Sequence, residues 1–436
     1  MKLIRVKDNS RTKKEEFEVS RQLVNKIADK TLLQLEREGI FVFPELIKES
    51  DDLDKDQKIL QSIDDSYSTG NVMGFLGLGN ERLIISSRFS LGGEDYLFQY
   101  LLQKVLDRPN VIDLNTDANP DQNFFDMLVF LFPHYLKLAV RKGLYKTYSR
   151  KYYNDGHVKG TIEIPRHIAK NTPFIGNVAY SQREYSCDNS LMELVRHTIE
   201  FIKRKPYGKR LLNEVKEEIS LIISATQTYE LYDRGKIIAE NKRNPIRHAY
   251  YREYRALQCL CILILQHQKN RVGSGSRQIY GILFDGAWLW EEYINQLIQE
   301  GYYHPMNKAR REAQKLFGSI GSIYPDFIGR KAENRIIADA KYKPLDNIHG
   351  QDYLQILAYM LRFDARKGIY LYPEAGDSTD MELYLNQGMT YEKNVVPRTD
   401  IMVVKHGLKI PTSAKSYEEF TAMMLESETQ FKLAMM

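Results

Sequence analysis

The chain has 436 residues, 43% hydrophobic and 27% charged, a folded-protein balance that excludes wholesale disorder and is long enough for two or three domains. A net charge of +5 and a pI near 8.7 permit a polyanionic partner without requiring one. The first twenty residues lack the apolar core of a signal peptide, and the greasiest stretch, Phe124 to Val140, is interrupted by Asp126, Pro133, His134 and Lys137, so it reads as a buried helix and not as a membrane span.

The chain opens on a charged helical segment, VSRQLVNKIADKTLLQLEREG. An acidic stretch, FVFPELIKESDDLDKDQKILQSIDDSYSTG, follows and reads as a solvated loop or linker. NVMGFLGLGNERLIISSRFS then carries two β-rich runs around Gly77, Gly79 and Asn80, the pattern of a hairpin. GFLGLGN is not a phosphate loop, because it lacks the Gly-Lys-Ser/Thr ending that sets a lysine on nucleotide phosphates and a hydroxyl on magnesium. No other segment has that ending, so no nucleotide is expected to bind this chain.

From Asp121 the pattern is helical through DMLVFLFPHYLKLAVRKGLYKTYSRKYY. It passes through a strand-like GHVKGTIEIPRHI and is helical again in NSLMELVRHTIEFIKRK and GKRLLNEVKEEISLII. Of the three cysteines, Cys187, Cys259 and Cys261, the last two sit in the apolar run QCLCILIL with no partner at metal-ligand spacing. They read as core thiols of a cytoplasmic protein. Basic segments with interleaved aromatics, KRKPYGKR and NKRNPIRHAYYREYR, and the basic NKARREAQK have the composition that meets phosphates by charge and bases by stacking, though a solvated face explains each equally well. Gly273, Ser274, Gly275 and Ser276 read as a hinge.

After the hinge, ILFDGAWLWEEYINQLIQEG has a helical pattern with Trp290, Tyr293, Ile294 and Leu297 on one face. Beyond a basic loop, IYPDFIGR and RIIADAKYK read as two strands joined by the turn KAEN, which sets Arg330 opposite Arg335 and, counting outward, Asp326 opposite Asp339. Opposed side chains in an antiparallel pair have Cβ atoms about 4.5–5.5 Å apart, close enough for two carboxylates to share a divalent cation. Alternation puts Ile337, Asp339, Lys341 and Lys343 on one face and Ile336, Ala338, Ala340 and Tyr342 on the other. Two acids among Ile-rich strands are costly unless paired or bound to metal, and the plain alternative is a salt-bridged surface ladder. Phosphodiester hydrolysis needs a cation to neutralise developing charge and acidify water, plus a positive group beside the phosphate. Asp326 and Asp339 suit the first task and Lys341 the second. DNIHGQDYLQILAYMLRF then reads as an amphipathic helix, with Leu354, Leu357, Met360 and Leu361 toward the core and a polar stripe of Gln351, Gln355 and Tyr359. Gln355 and Tyr359 are expected to orient the lysine or the DNA backbone.

The order of acid-bearing helix, Pro-Asp strand, Asp-x-Lys strand and closing helix resembles the PD-(D/E)xK nuclease superfamily, and Gln355 to Tyr359 matches the QxxxY motif of its RecB-like branches. More narrowly, DAKYK at Asp339 to Lys343 and DYLQILAYM at Asp352 to Met360 resemble the McrC family, the nuclease subunit of McrBC-type restriction systems. WLWEEYI, GHVKGTIEIPRHI and EYSCDNSLMELVRHTI resemble further marks of that family, so the likeness runs from about Asp121 to Pro373; the chain before Asp121 matches only loosely.

The resemblance implies Glu291 as the additional helix acid, with Glu292 its immediate rival, and a metal set of Asp326, Asp339, Glu291 and the Ala340 backbone carbonyl. It implies Mg2+ or Mn2+ as cofactor, DNA as substrate and an McrB-like AAA+ GTPase oligomer as partner, stimulated through the N-terminal part. Dimerised nuclease domains are one way to cut both strands. The expected fold is α+β or α/β and multidomain. It has a β-containing, partner-binding region over 1–120, a mainly helical middle over 121–275, and a PD-(D/E)xK nuclease domain over 276–436 with a central mixed sheet flanked by helices. The expected activity is metal-dependent endonuclease action as one subunit of a defence complex. The alternatives are a self-sufficient repair or recombination nuclease and a non-catalytic regulatory DNA-binding subunit.

Overall fold

The computed structural model describes residues 2–38, 40–43, 57–90, 95–105, 120–270, 279–305, 314–376, 379–387 and 396–435. It resolves into two compact units, residues 1–124 with 275–436, and residues 125–274. The segments read from sequence as separate N-terminal and C-terminal domains thus lie in one unit. The glycine-serine hinge and most of NKARREAQK fall outside the described residues.

The first sheet of the larger unit explains this union. Its described strands run in the order Lys2–Lys7, Glu81–Ser86, Val72–Leu78, Tyr280–Asp285, Phe41–Phe43. The strand after the hinge is therefore inserted between two N-terminal ones, antiparallel to Val72–Leu78 and parallel to Phe41–Phe43. The sequence reading had merged residues 282–301 into one helical pattern. The structure divides them at Asp285, whose side chain accepts from the Ala287 amide at 2.9 Å and caps the helix Gly286–Ile298. Ile282, Leu283 and Phe284 are fully buried, and a short run buried on both faces shows no period that separates strand from helix.

The hairpin at Gly79 and Asn80 forms as expected, pairing Leu78 with Glu81, with Gly79 at φ +55°. The acidic stretch differs from its linker reading in its second half. Leu60–Ile63 and Ser66–Thr69 pair across a turn with Asp64 at φ +48°, because an Asp-Asp pair between alternating residues is turn chemistry as much as solvation. The long N-terminal helical segment is two helices, Arg21–Ile27 and Leu32–Arg37, broken at Asp29, φ +59°.

The second sheet carries the candidate site. Its described strands run in the order Tyr302–Tyr303, Phe327–Gly329, Ile336–Ala340, Lys367–Glu374, Val396–Lys409, Met381–Gln387, with parallel and antiparallel pairs mixed. One face buries Ile337, Tyr370 and Tyr372 against Ile356, Tyr359 and Met360 of the helix Gln351–Arg362. Toward the other lie the helix Gly286–Ile298, whose Trp290 Nε1 donates to the Leu371 carbonyl at 3.0 Å, and the helix Tyr417–Met435, whose Phe431 stacks on His406.

The smaller unit holds most of the long helix Pro120–Val140, and no helix among the described residues is long and apolar enough to cross a membrane. Residues 147–153, read as helical from sequence, belong to the strand Thr147–Asp155, paired along its length with Val178–Ser186. Gly143 at φ +86° follows the helix end, and alternation of exposed Tyr148, Arg150 and Tyr152 with half-buried Lys151 and Tyr153 takes over. GHVKGTIEIPRHI keeps only Thr161–Ile162 as strand before the helix Ile164–Lys170. GKRLLNEVKEEISLII is divided into the helices Gly208–Asn213 and Lys216–Ala225. Asn189 caps the helix Ser190–Lys203 by accepting from the Met192 amide. All three cysteines are unbridged, and burial pushes the Cys261 thiol up to about 12.

Gly74 is where the inserted strand presses closest. At φ +142°, a Cβ there would lie 2.2 Å from the Ile282 carbonyl oxygen, whereas a Cβ on Gly79 meets nothing within 4 Å. Gly74→Ala is expected to cost at least about 3 kcal/mol through strain and backbone collision, and Gly79→Ala about 1 kcal/mol through conformation alone. Denaturant melts of the two variants should show that ranking; equal losses would contradict it.

Candidate active site

The strand register places the acids. Phe327 pairs with Ala338 and Ile328 with Ile337, so one step further Asp326 stands opposite Asp339, and at the other end Arg330 opposite Arg335, as the turn count predicts. Asn334, at φ +55°, closes that turn. Asp326 is tied to the neighbouring strand by the Ala340 amide, which donates to its Oδ2 at 2.9 Å. His304 fixes its backbone, with Nδ1 2.8 Å from the Asp326 carbonyl.

The electrostatics of the pair are unfavourable as they stand. Burial, then the nearby charges of Glu291 and Asp339, raise the Asp326 carboxyl well above its ordinary range, and Lys341 and the Ala340 amide offset this only in part. Asp339 is 2% exposed. Among the described residues no hydrogen-bond donor is aligned on its buried Oδ2; the Lys341 ammonium reaches that atom at 2.6 Å as an ion pair. Burial opposes the Lys341 charge, but Asp339, Asp326 and Asp352 together hold its pKa above the usual lysine value.

Lys341 is also braced from the helix Gln351–Arg362. Its Nζ donates to Gln355 Oε1 at 3.0 Å, Gln355 Nε2 donates to the Tyr359 hydroxyl at 2.8 Å, and that hydroxyl donates to the Tyr324 carbonyl at 3.2 Å. The structure thus brings Asp326, Asp339, Lys341, Gln355 and Tyr359 into one network. Glu291, 7% exposed, joins it through the field it exerts on Asp326, whereas Glu292 is half-buried. His304 Nε2 lies 3.7 Å from Glu291 and 3.8 Å from Glu292. Burial opposes protonation of the ring, but the nearby Glu292 and Glu291 carboxylates raise its pKa.

Two readings of the last helix need correction. Leu354 and Leu361 are 63% and 83% exposed, not core residues, and Tyr359 is buried instead of lying on a polar surface stripe. Asp352, Ile356, Tyr359 and Met360 define the inner face, an i, i+4, i+7, i+8 set whose first member is a carboxylate and so escapes a search for apolar periodicity. Asp352 itself was not anticipated. It accepts from Lys343 Nζ at 2.8 and 3.0 Å, lies 3.6 Å from Lys341 Nζ, and accepts from the His349 amide. The signal for it was Lys343, a second inward lysine with no acid assigned. His304 was also missed; a lone histidine in YYHP carries no spacing that marks it.

Among the described residues no group of three His, Cys, Asp or Glu side chains converges on one point as a metal cage. Two mutually repelling carboxylates, one buried and one half-buried, and an Asp339 oxygen without an aligned donor are nevertheless the donor set that a hard cation fits, since Mg2+ takes only one or two carboxylates and keeps water or substrate oxygens for the rest.

A family model described as McrBC 5-methylcytosine restriction system component matches residues 67–373. No curated protein matches. Among solved structures, a chain of the half-complex from the tetradecameric assembly of Thermococcus gammatolerans McrB AAA+ hexamers with bound McrC is similar at 15% identity and TM-score 0.48, over 97% of this chain and 99% of that one. A chain of the Thermococcus gammatolerans McrBC complex is similar at 16% identity and TM-score 0.31, over 68% and 87%.

The crowding of charge predicts opposite effects for two substitutions. A carboxyl whose folded pKa is raised contributes stability that is fully present below its unfolded pKa, ordinarily 3.8, and is lost as pH rises through the folded value. In chelator at pH 8, Asp326→Asn is therefore expected to melt above the wild type, with the difference vanishing in acid. Lys341→Met should melt lower by the equivalent of about 3–5 kcal/mol, since it strips a buried carboxylate of its counter-charge. Thermal melts across pH read both, and a destabilised Asp326→Asn at pH 8 would refute the account.

Proposed function

The chain belongs to the McrBC 5-methylcytosine restriction system component family, and on that premise we propose that it is the DNA-cleaving subunit, a PD-(D/E)xK endonuclease acting with Mg2+ and a separate McrB-like AAA+ GTPase. The observation that carries the reading is Asp326 and Asp339 opposed across a ladder with the Lys341 ammonium against them. A surface salt-bridge ladder would be exposed, whereas here Asp339 is buried and Asp326 and Lys341 are half-buried.

Asp326, Asp339 and the Ala340 carbonyl would hold the cation, with Glu291 contributing from the helix. Bound there, the cation supplies positive charge to the scissile phosphate and acidifies a water for attack. Lys341, held protonated by its acids, acts by charge and hydrogen bonding and not as a base: it orients the attacking water or a non-bridging phosphate oxygen. Gln355 and Tyr359 set the direction of that ammonium, and Lys343 is kept in place by Asp352. One such site cuts one strand, so cleavage of a duplex draws on two copies. The GTPase partner is proposed on the strength of the family and of the absence from this sequence of any phosphate-loop ending.

Purified protein, mixed with its AAA+ partner, GTP, Mg2+ and methylated plasmid, is expected to cut the DNA. Asp339→Ala should lower the rate by at least ~10²–10³-fold while stimulation of the partner's GTPase is unchanged. Loss of both in a folded variant would favour a regulatory role, and robust cutting without partner a self-sufficient nuclease. Independently of activity, Mg2+ at about 100 times its Kd should stabilise the wild type by about 2.7 kcal/mol and leave Asp339→Ala unmoved; equal shifts would place the ion elsewhere.

A further inference from the structure

The two inward lysines of the site lie at and beyond the end of the strand that presents them. The ladder of Ile336–Ala340 reaches one last bond, from the Lys341 amide to the Leu371 carbonyl at 2.9 Å, and the Lys343 amide then turns back to the Lys341 carbonyl. Alternation of side chains is enforced by pairing along a ladder, so from Lys341 onward something else must keep the two lysines on the acid-bearing face.

Tyr342, between the two lysines, is anchored at that point. It points away from both lysines and is 5% exposed. Its hydroxyl lies 2.6 Å from Ser87 Oγ and 3.3 Å from Met73 Sδ, the Arg88 guanidinium sits 4.9 Å over its ring, and Phe89 meets it edge-on at 5.1 Å. The socket is rigid from behind: Arg88 is held by Asp8 at 2.6 and 2.9 Å and by Asn71, and the Ser87 amide donates to Asp95. It is also tight, for a Cβ on Gly286 would lie 2.7 Å from the Tyr342 ring. Among the described residues, every polar contact of the ring comes from the first sheet and its flanking loop, some 255 positions away in sequence for Ser87.

We propose that Tyr342 is a positioning residue for phosphodiester cleavage. Seated in the socket of Ser87, Arg88 and Met73, it fixes the strand's phase past the end of the ladder, so that Lys341 stays against Asp339 and Lys343 against Asp352. The proposal rests on the nuclease reading of that site. It makes the N-terminal sheet a structural part of the active site, so displacement of Ser87 is felt at Lys341.

Tyr342→Phe keeps the ring and removes the hydroxyl, and Ser87→Ala removes its partner. In the full-length protein with partner and saturating Mg2+, each is expected to lower kcat for plasmid cleavage roughly 10–100-fold, the scale of a sub-ångström to ångström misplacement, with KM for DNA within about twofold. The double variant should fall by less than the product of the two single effects, because both remove the Ser87–Tyr342 bond. Acylation of surface amines followed by peptide mass spectrometry gives a second reading that needs no cleavage: Lys341 and Lys343 should label severalfold faster in Tyr342→Phe, with Lys405, held by the Ile348 carbonyl, unchanged. Wild-type kcat and unchanged labelling in both singles overturn the proposal, as does a variant that merely melts lower while each folded molecule cuts at the wild-type rate. Failure of the wild type to cut, with labelling faster as expected, sinks the nuclease reading and leaves the positioning of the lysines standing.

Discussion

The opposition of Asp326 and Asp339 across one antiparallel register is the constraint from which the site follows. Two carboxylates brought together with one buried and the other half-buried repel, and the fold answers with what it has at hand: the Ala340 amide on Asp326, the Lys341 ammonium on Asp339, and His304 between Glu291 and the Asp326 carbonyl. These partners leave Asp326 raised well above the ordinary carboxylate range. A protein that needed only a stable strand here would have gained by placing apolar residues at both positions. Keeping two poorly compensated acids at the meeting point of two strands and a helix is what the proposed cation site would require.

The larger unit is built so that this register does not stand alone. Besides the inserted strand and the Tyr342 socket, Glu428 of the C-terminal helix accepts from Tyr100 at 2.6 Å and Tyr293 at 2.8 Å, with Lys104 at 3.3 Å. One buried carboxylate thereby joins the helix Tyr96–Val105, the site helix bearing Glu291, and the last helix of the chain. Because that acid is satisfied by two phenols and an ammonium, it costs little to bury, and it fixes the helix that delivers Glu291 relative to both sheets.

What the sequence made legible was local. The register of Asp326 against Asp339 follows from a four-residue turn and period-two alternation, both fixed by nearest neighbours, and the two-residue hairpin at Gly79 and Asn80 is legible for the same reason. Assignments that depended on what lies across the fold were not legible. Residues 282–285 read as the start of a helix because a strand buried on both faces loses its period, and the neighbours that bury it lie near residues 42 and 75. Leu354 and Leu361 were placed inside because leucine usually is, but the inward phase of that helix is set by Asp352 meeting Lys343, a polar contact that hydrophobic periodicity does not register. His304 is part of the site only because the short strand Tyr302–Tyr303 pairs with Phe327–Gly329, a pairing that no local pattern announces.

The strand Ile336–Ala340 and its extension to Lys343 divide two tasks between two faces. Inward, Asp339, Lys341 and Lys343 carry charge; outward, Ala338, Ala340 and Tyr342 carry packing. The outward residues nearest the acids are alanines, and the first residue of the facing helix is Gly286, so helix and strand approach closely enough for Glu291 to act on Asp326. Tyr342, the largest of the outward set, comes after the ladder has ended, where Gly286 of the facing helix leaves room for its ring. Small residues where elements must meet and one large anchored residue where pairing stops are what allow a five-residue strand to present three charged side chains in a fixed direction.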